Sequence, residues 1–433
     1  MSWIRGSASN YLTLSDALVA AATGNSVATV AVNAGGTGYT VGDILSVAGG
    51  TGTVTAQIEV TTISGGGGTG PITGVRIYNA GVYTVNPSTP NSVTGGTGSA
   101  ATITLTFVDN GWTAELNSTW SGSQKEVILS SPGDGGDAIF VGWRSLSDLS
   151  TYFNWELHGM TGYTAGQHLE DQPGVSPGFH DAVLSVNRAG AYLLLFNSAI
   201  DYWFSITPYR IIIVVNVSGN YFNAYLGWGN RFMTETEYPY PMIIAGHCST
   251  WSSLYNQSTL SSGLIDPWRN SSGDGSTNGP MFVRFTDGAW HGIANQLVGS
   301  ITTTAIRSRV VMPAGMPEGG PDAGNIVEAK DKFMSGTNAT FIDIFPGTGA
   351  AATAAASWEV TPGTVDVRVV LPSLIVFFSP SQQVVAELSD VFWASGHGGV
   401  VSQDRIIVGG EVYRLFQNCN RSSNFAFVAV KEV

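Results

Sequence analysis

Lysine, cysteine and charge in general are what this sequence has least of. Its 433 residues include four lysines, Lys125, Lys330, Lys332 and Lys431, and two cysteines. Charged residues make up 11% of the chain and the net charge is −13, where an ordinary globular protein is about one quarter charged. An acidic chain with so few lysines has no basic stripe to neutralise phosphates, so no nucleic-acid partner is expected. Cys248 and Cys419 stand far apart with no CxxC neighbour, which favours two packed thiols over a disulfide or a zinc site and points to no redox role. No apolar run approaches the roughly 18 residues that a membrane span needs. The opening MSWIRG has no charged segment leading into an apolar core of the signal-peptide kind. A soluble protein made in the cytoplasm, with no membrane partner, is therefore expected. The nucleotide-binding pattern G-x-x-x-x-G-K-[ST] is missing.

Glycine is plentiful, at 55 residues, and hydrophobic side chains make up 43% of the chain. A surface so poor in charge must be covered by Ser, Thr, Asn, Gly and aromatic residues. Two readings stand side by side: a β-rich protein with many turns, or a surface partly buried against neighbouring subunits.

The glycines are organised. Residues 28–41 (ATVAVNAGGTGYTV) and 48–58 (AGGTGTVTAQI) recur, blurred, as 74–85 (GVRIYNAGVYTV) and 94–105 (TGGTGSAATITL). Each unit reads as strand, glycine turn, strand, because glycine reaches positive φ freely while Val, Ile and Thr suit a pleated half-buried surface. Between residues 28 and 107 the ionisable side chains are Asp43, Glu59, Arg76 and three tyrosines, so the repeat carries no obvious chemistry and should present surface or bridge subunits.

Residues 12–23 have helical spacing, with Leu14, Leu18 and Ala21 on one face, Ser15 or Asp16 available as a cap and Gly24 as a stop. A weaker helical pattern covers 322–334. Almost everything else has strand period. The clearest meander runs from Tyr202 to Gly227, with turns at 207–209 and 218–220; its segment Ile211 to Val215 is apolar at every position, which predicts a central strand buried on both faces. Near the end, 404–416 reads as a hairpin closed by Gly409 and Gly410, followed by a last strand over 425–431. Residues 249–279 are long, polar and patternless, as an arm or interface loop would be. The expected fold is mainly β: an antiparallel β-sandwich-like body at 109–433, with an optional division into two lobes near 250–280, an inserted small β-repeat module at 26–108, and one short N-terminal helix within 1–25.

Several stretches together resemble a family of virion structural proteins from tailed bacteriophages: residues 2–8 (SWIRGSA) and 14–18 (LSDAL), 127–133 (VILSSPG) and 137–145 (DAIFVGWRS), 152–163 (YFNWELHGMTGY), 237–241 (EYPYP), and 408–418 (VGGEVYRLFQN). Their order along the chain carries the resemblance, which spans most of 1–24 and 110–433. The glycine repeat resembles short β modules inserted into many phage structural proteins. What this implies is a particle component of the tail, neck or baseplate, located in the virion, with other tail, neck or baseplate proteins and copies of itself in a symmetric ring as partners. The resemblance supplies no catalytic residues.

His168, Glu170, Asp171, His180 and Asp181 form the densest ionisable cluster, but their spacing matches no metal motif, and a solvated or interface-paired loop is the better reading. Residues 270–278 lack the alternating acids of a calcium loop. Glu115, Glu126, Glu156, Glu170 and Glu237 could supply paired carboxylates for glycan hydrolysis, yet nothing in the sequence pairs them. Gly246-His247-Cys248-Ser249 places nucleophiles beside a histidine without any triad pattern. No catalytic residue, cofactor or metal is expected. Aromatic residues near turns, among them Tyr152, Phe153, Tyr163 and Tyr225, divide between core packing, subunit contact and glycan contact. The interface candidates are Leu14, Leu18, Tyr39, Tyr83, Trp155, Trp228, Tyr238, Tyr240, Trp251 and Trp268, with residues 237–241 expected to be a rigid, exposed element. The helix should dock on a neighbour or on the body, and the module should project outward or bridge adjacent copies. The alternatives are a tail appendage that binds, or degrades, a host surface glycan, and a capsid decoration protein.

Overall fold

Strand periodicity dominates the chain, and a computed structural model of the protein builds it almost entirely from antiparallel sheets. The structure describes residues 1–121, 124–133, 138–147, 153–178, 190–246, 281–293, 308–311, 370–377, 383–394, 401–417 and 427–432. The helical pattern at 322–334, the polar stretch 249–279, both cysteines, His180, Asp181, Tyr152, Trp251 and Trp268 lie outside them.

The chain opens with strand β1 (Ser2–Ala8) and helix α1 (Tyr11–Thr23). The helix begins a residue earlier than its apolar pattern suggested, because Tyr11 is itself buried. Its cap is Asn10 rather than Ser15 or Asp16. The Asn10 side chain accepts the amides of Leu12 and Thr13, both at 2.9 Å, and the Thr13 hydroxyl accepts the Asn10 amide at 3.0 Å, forming a reciprocal capping box. Ser15 is buried and accepts the Trp143 indole N–H at 2.9 Å.

The glycine repeat forms its own sheet from β2 (Asn25–Thr37), β3 (Ile44–Val47), β4 (Thr51–Val54), β5 (Gln57–Ile63), β6 (Ile72–Asn79), β7 (Val82–Val85), β8 (Asn91–Thr94) and β9 (Ser99–Asp109). The strand order is β4-β7-β2-β9-β8-β3-β5-β6. From β2 to β6 that order reads the same from either end once the repeat mates β2/β6, β9/β5 and β8/β3 are exchanged. The two halves of the repeat are therefore related by a pseudo-twofold axis. It passes where Val47 pairs with Val93, which are equivalent positions of the two halves. Gly49-Gly50 and Gly95-Gly96, the matching turns, all have positive φ, from 69° to 96°, a conformation for which glycine is the low-cost residue. Tyr39 and Tyr83 are buried in the module core with Val27, Leu45, Ile58 and Ile103.

The body follows. Strands β10 (Thr113–Ser121), β11 (Gln124–Ser131), β12 (Ile139–Ser147), β13 (Phe153–Met160) and β14 (Ala191–Leu193) form a five-stranded sheet in chain order. The meander is β15 (Ile200–Thr207), β16 (Arg210–Val217) and β17 (Asn220–Trp228); after the two-residue β18 (Asn230–Arg231) come β19 (Met242–Ala245), β20 (Met281–Arg284) and β21 (Trp290–Ile293). These make the central sheet β1-β15-β16-β17-β19-β20-β21. The last sheet, β22-β23-β24-β27-β26-β25, is built from β22 (Ser308–Val311), β23 (Val370–Phe377), β24 (Gln383–Ala394), β25 (Arg405–Val408), β26 (Glu411–Gln417) and β27 (Phe427–Lys431), with β18 pairing β24.

Three β layers result, and the central sheet is covered on both faces. Ile211, Ile213 and Val215 lie in the core shared with the five-stranded sheet and α1, whereas Ile212 and Val214 lie in the core shared with the C-terminal sheet. An uninterrupted apolar run suits this environment, since alternate side chains enter different cores. Strand β1 shows the same division: Trp3 enters one core and Ile4 the other. The first residues are thus a strand of the central sheet, paired with β15 from Ser2↔Ile206 to Ala8↔Ile200, and not only a lead-in to the helix.

Candidate functional site

Most of the interface candidates are core residues. Leu14, Leu18, Tyr39, Tyr83, Trp155, Trp228 and Tyr238 are buried and Tyr240 is partly buried. The helix docks on the body through Leu14 and Leu18. Trp155 stacks on Trp143 at 5.3 Å, and Trp228 meets Tyr240 edge-on at 5.5 Å; neither indole is placed to meet a glycan. The expectation of an exposed 237–241 element is corrected. Glu237 and Pro239 are exposed, but Tyr238 donates its hydroxyl to the Arg284 carbonyl at 2.8 Å and Tyr240 donates to the Ala138 carbonyl. The prolines hold a segment whose two tyrosines point inward. Burial pushes the Tyr238 phenol far above its usual range and the Tyr225 phenol up to about 12.

The ionisable residues gather at two places. One is the outer face of the five-stranded sheet, where pairing sets Glu126 opposite Arg144, Arg144 opposite Glu156, and Glu156 opposite Tyr192. A row of polar side chains thus crosses four strands, and all four side chains are buried. Glu126 accepts Arg144 Nη2 at 2.7 Å and the Leu169 amide at 2.9 Å on Oε1, while its Oε2 lies 2.9 Å from His168 Nδ1. Burial works against its charge, but the His168, Leu169 and Arg144 contacts outweigh it and hold the carboxyl below the ordinary glutamate range. Glu170 also pairs with Arg144, and the Trp120 ring lies 4.2 Å from the guanidinium carbon.

His168 and Glu170 of the dense sequence cluster are therefore brought together, but by partners from other strands that the sequence could not place. Asp171 is exposed and belongs to neither group. A 3-10 turn at Leu169–Asp171 delivers these residues, and Leu169 seats over Gly142, where a Cβ would come within 2.9 Å of its side chain.

Beside this row, Glu156 Oε1 accepts the Tyr192 hydroxyl at 3.2 Å, Glu156 Oε2 lies 3.8 Å from His158 Nε2, and His158 Nδ1 lies 3.3 Å from Ser176 Oγ. Acid, imidazole and hydroxyl in series have the composition of a nucleophilic triad. Their setting is that of a core: Ser176 is 1% exposed and its Oγ accepts the Gly159 amide at 3.2 Å. The Trp290 indole closes the covering loop by donating to the Gly174 carbonyl at 2.8 Å. Glu126 and Glu156 stand two strands apart, about 10 Å by strand spacing, with Arg144 between them. Arg144 pairs with Glu126, whose carboxyl is held in its ionised form, so Glu126 cannot be the acid that glycan hydrolysis requires to stay protonated. Of the other candidate acids, Glu115 accepts the Ser130 hydroxyl at 2.5 Å and Glu237 caps Thr234. Among the described residues no group of three or more His, Cys, Asp or Glu side chains is arranged to hold a metal ion.

The second gathering lies between the module and the body. The base of the module is knitted into β1 and α1: the Ala80 amide donates to the Trp3 carbonyl at 2.8 Å, Asn79 Nδ2 to the Arg5 carbonyl at 2.9 Å, and Asn110 Nδ2 to the Ala21 carbonyl at 2.7 Å. Ala80 and Val82 belong to the body's core. Farther out, Glu59 receives both Arg76 of the module and Arg405 of strand β25. The module is held to both ends of the body sequence, so its β5–β6 side is a contact within the chain.

No protein-family model matches this chain, and no curated protein matches it at a significant level.

Proposed function

We propose that the chain is a non-enzymatic structural component of a tailed-bacteriophage particle, assembled in several copies at the tail, neck or baseplate. The motifs that resemble virion proteins are the same segments that build β1, α1, β11, β12, β13 and the β25–β26 hairpin. The observation that carries the reading is the use made of the ionisable side chains within them. Arg144, Glu156 and His158 are buried in the sheet, and Arg414 is buried at the end of the hairpin. Arg144 is neutralised by Glu126 and Arg414 by Glu432, each within its own sheet, which is work for a building block. A low-charge exterior suits broad packed contacts between copies, and closed symmetry repeats each weak contact around a ring.

The test is quantitative mass spectrometry of purified particles, before and after heads are separated from tails. A low copy number that travels with tails is the expected result. Hundreds of copies travelling with heads would move the protein to the capsid surface, and absence from particles would overturn the structural reading.

A further inference from the structure

Three distant parts of the chain meet where the module rests on the body: strand β1 at the start, β5 and β6 of the module, and the β25–β26 hairpin near the end. Arg76 grips Glu59 across β5 and β6 with two bonds of 2.8 and 3.1 Å, and Arg405 of the hairpin pairs with the same carboxylate. Arg405 Nε and Arg414 Nε lie 2.8 and 2.6 Å from the two oxygens of Glu432. The Tyr78 ring centre is 4.5 Å from the guanidinium carbon of Arg5 and 4.9 Å from that of Arg405, and the Tyr78 hydroxyl accepts a hydrogen bond from Arg5.

The pseudo-twofold axis separates the charges the module needs for itself from those it does not. Pairing of β5 with β6 sets Ile58 opposite Ile77 and Glu59 opposite Arg76, with a register shift on the Gln57 side. Pairing of β9 with β2 sets Ile103 opposite Val32 and Thr104 opposite Ala31, with the matching shift on the Thr102 side. Thr104 and Ala31 are therefore the mates of Glu59 and Arg76, and both are exposed and uncharged. One half of the module thus holds its strands together with no ion pair at this position. The hairpin, by contrast, is short of acid. Arg405 and Arg414 are directly opposed, an arrangement of like charges that costs stability, and Glu432 is the carboxylate the body offers to both. Nη2 of each is buried with no acceptor among the described residues. With Arg76 also drawn to Glu59, three guanidinium groups share two carboxylates. Burial opposes the Glu59 charge, but Arg76 and Arg405 outweigh it and hold that carboxyl below its ordinary range.

We propose that the repeat module is an intramolecular clasp for the C-terminal sheet, with Glu59 as its pin: Glu59 supplies the second carboxylate that the opposed Arg405 and Arg414 require, and so fastens the β25–β26 hairpin to the body. The module is then part of what orders the end of the chain, rather than an appendage whose β5–β6 side is offered to neighbouring copies. Strand β25 is where the clasp acts most. It is four residues long, ends its sheet and pairs with β26 alone, and a short edge strand is among the first parts of a sheet to open. This does not depend on the particle assignment.

The experiment is residue-resolved hydrogen exchange on the full chain and its variants. Glu59→Gln keeps the side-chain shape and removes the charge. Exchange at residues 405–408 and 411–414 should rise about tenfold, within the coupling of residues that share an ion-pair network, while 57–63, 72–79 and 210–217 keep their protection. Adding Arg405→Gln should recover part of the hairpin's protection, because the cation left underpaired is removed with its partner. Glu411→Gln, which breaks a more exposed pair with Lys431 in the same sheet, should change the hairpin rates by less than about twofold. Unchanged hairpin exchange in Glu59→Gln would overturn the proposal. So would a rise confined to the module, which would make Glu59 a prop of its own sheet, a rise that spreads to 210–217, or single effects that simply multiply in the double variant.

Discussion

Replacing Ile212 and Ile213 by alanine, one at a time, tests whether the central sheet is covered on both faces. The residues are adjacent and chemically identical, and they are 1% and 0% exposed. Ile213 packs toward the five-stranded sheet and α1, and Ile212 toward the C-terminal sheet. Each substitution removes three carbons, worth about 2.4 kcal/mol at ~0.8 kcal/mol for each buried group. The cavity left in a rigid two-sided packing raises the cost to about 3–4 kcal/mol. Both variants should therefore lose comparable stability. Ile407→Ala, at a site 63% exposed, should stay within about 0.5 kcal/mol of wild type. Urea unfolding followed by tryptophan fluorescence gives the midpoints. A chain of several sheets need not unfold in one step, so amide exchange at residues 211–215 should be measured alongside. A full loss for Ile213→Ala with less than about 1 kcal/mol for Ile212→Ala would refute the reasoning, because it would mean that the C-terminal sheet does not cover that face.

Three further outcomes are expected. Burial opposes the charge of Asp43, but amides and hydroxyls of Thr40 and Thr97 bind the carboxylate and hold it at about 2, against an ordinary 3.8. A lowered value means that the stabilisation is present above pH 3.8 and disappears as the pH falls through 2. After discounting for solvent screening it is worth about 1 kcal/mol. Asp43→Asn should abolish that acid-dependent part, as read from exchange at the Thr40 and Thr97 amides. Asn10→Ala should cost about 1 kcal/mol and speed exchange in the first turn of α1. Arg144→Met should destabilise the five-stranded sheet by about 3–5 kcal/mol, because it removes the guanidinium from a buried carboxylate, and adding Glu126→Leu should recover part of the loss. Thermal denaturation of the single and double variants checks it; simple additivity would count against a coupled pair. Since the Glu126 carboxyl is held below its ordinary 4.5, the stability from its charged form is present above that value and is lost as the pH falls through the lowered one.

Local pattern was enough for much of the architecture. The period of two in the Tyr202–Gly227 segment specified three strands and their turns, since a half-buried or buried strand dictates alternation wherever it lies. The glycine pair at 409–410 marked a hairpin because few other residues adopt its backbone conformation. The apolar run Ile211 to Val215 announced burial on both faces, but which layers would cover it was beyond local pattern, as that depends on strands more than 150 residues later in the chain.

The sites were decided by tertiary structure. Glu126, Arg144, Glu156 and Tyr192 carry no recognisable spacing, and only strand register sets them in one row. Aromatic residues near turns divided in sequence between core packing, subunit contact and glycan contact; Trp155, Trp228 and Tyr238 are buried, because a large ring beside a turn gains more from filling a core than from meeting solvent. Asn10 displaced Ser15 as the helix cap because Tyr11 had apolar surface to bury. The sequence by itself determined the β class, the repeat and the turn positions, all of which depend on neighbours along the chain. Pairing of β1 with β15, division of one strand between two cores, and the meeting of Glu59 with Arg405 belong to the tertiary structure, because each joins residues whose separation leaves no periodic trace in sequence.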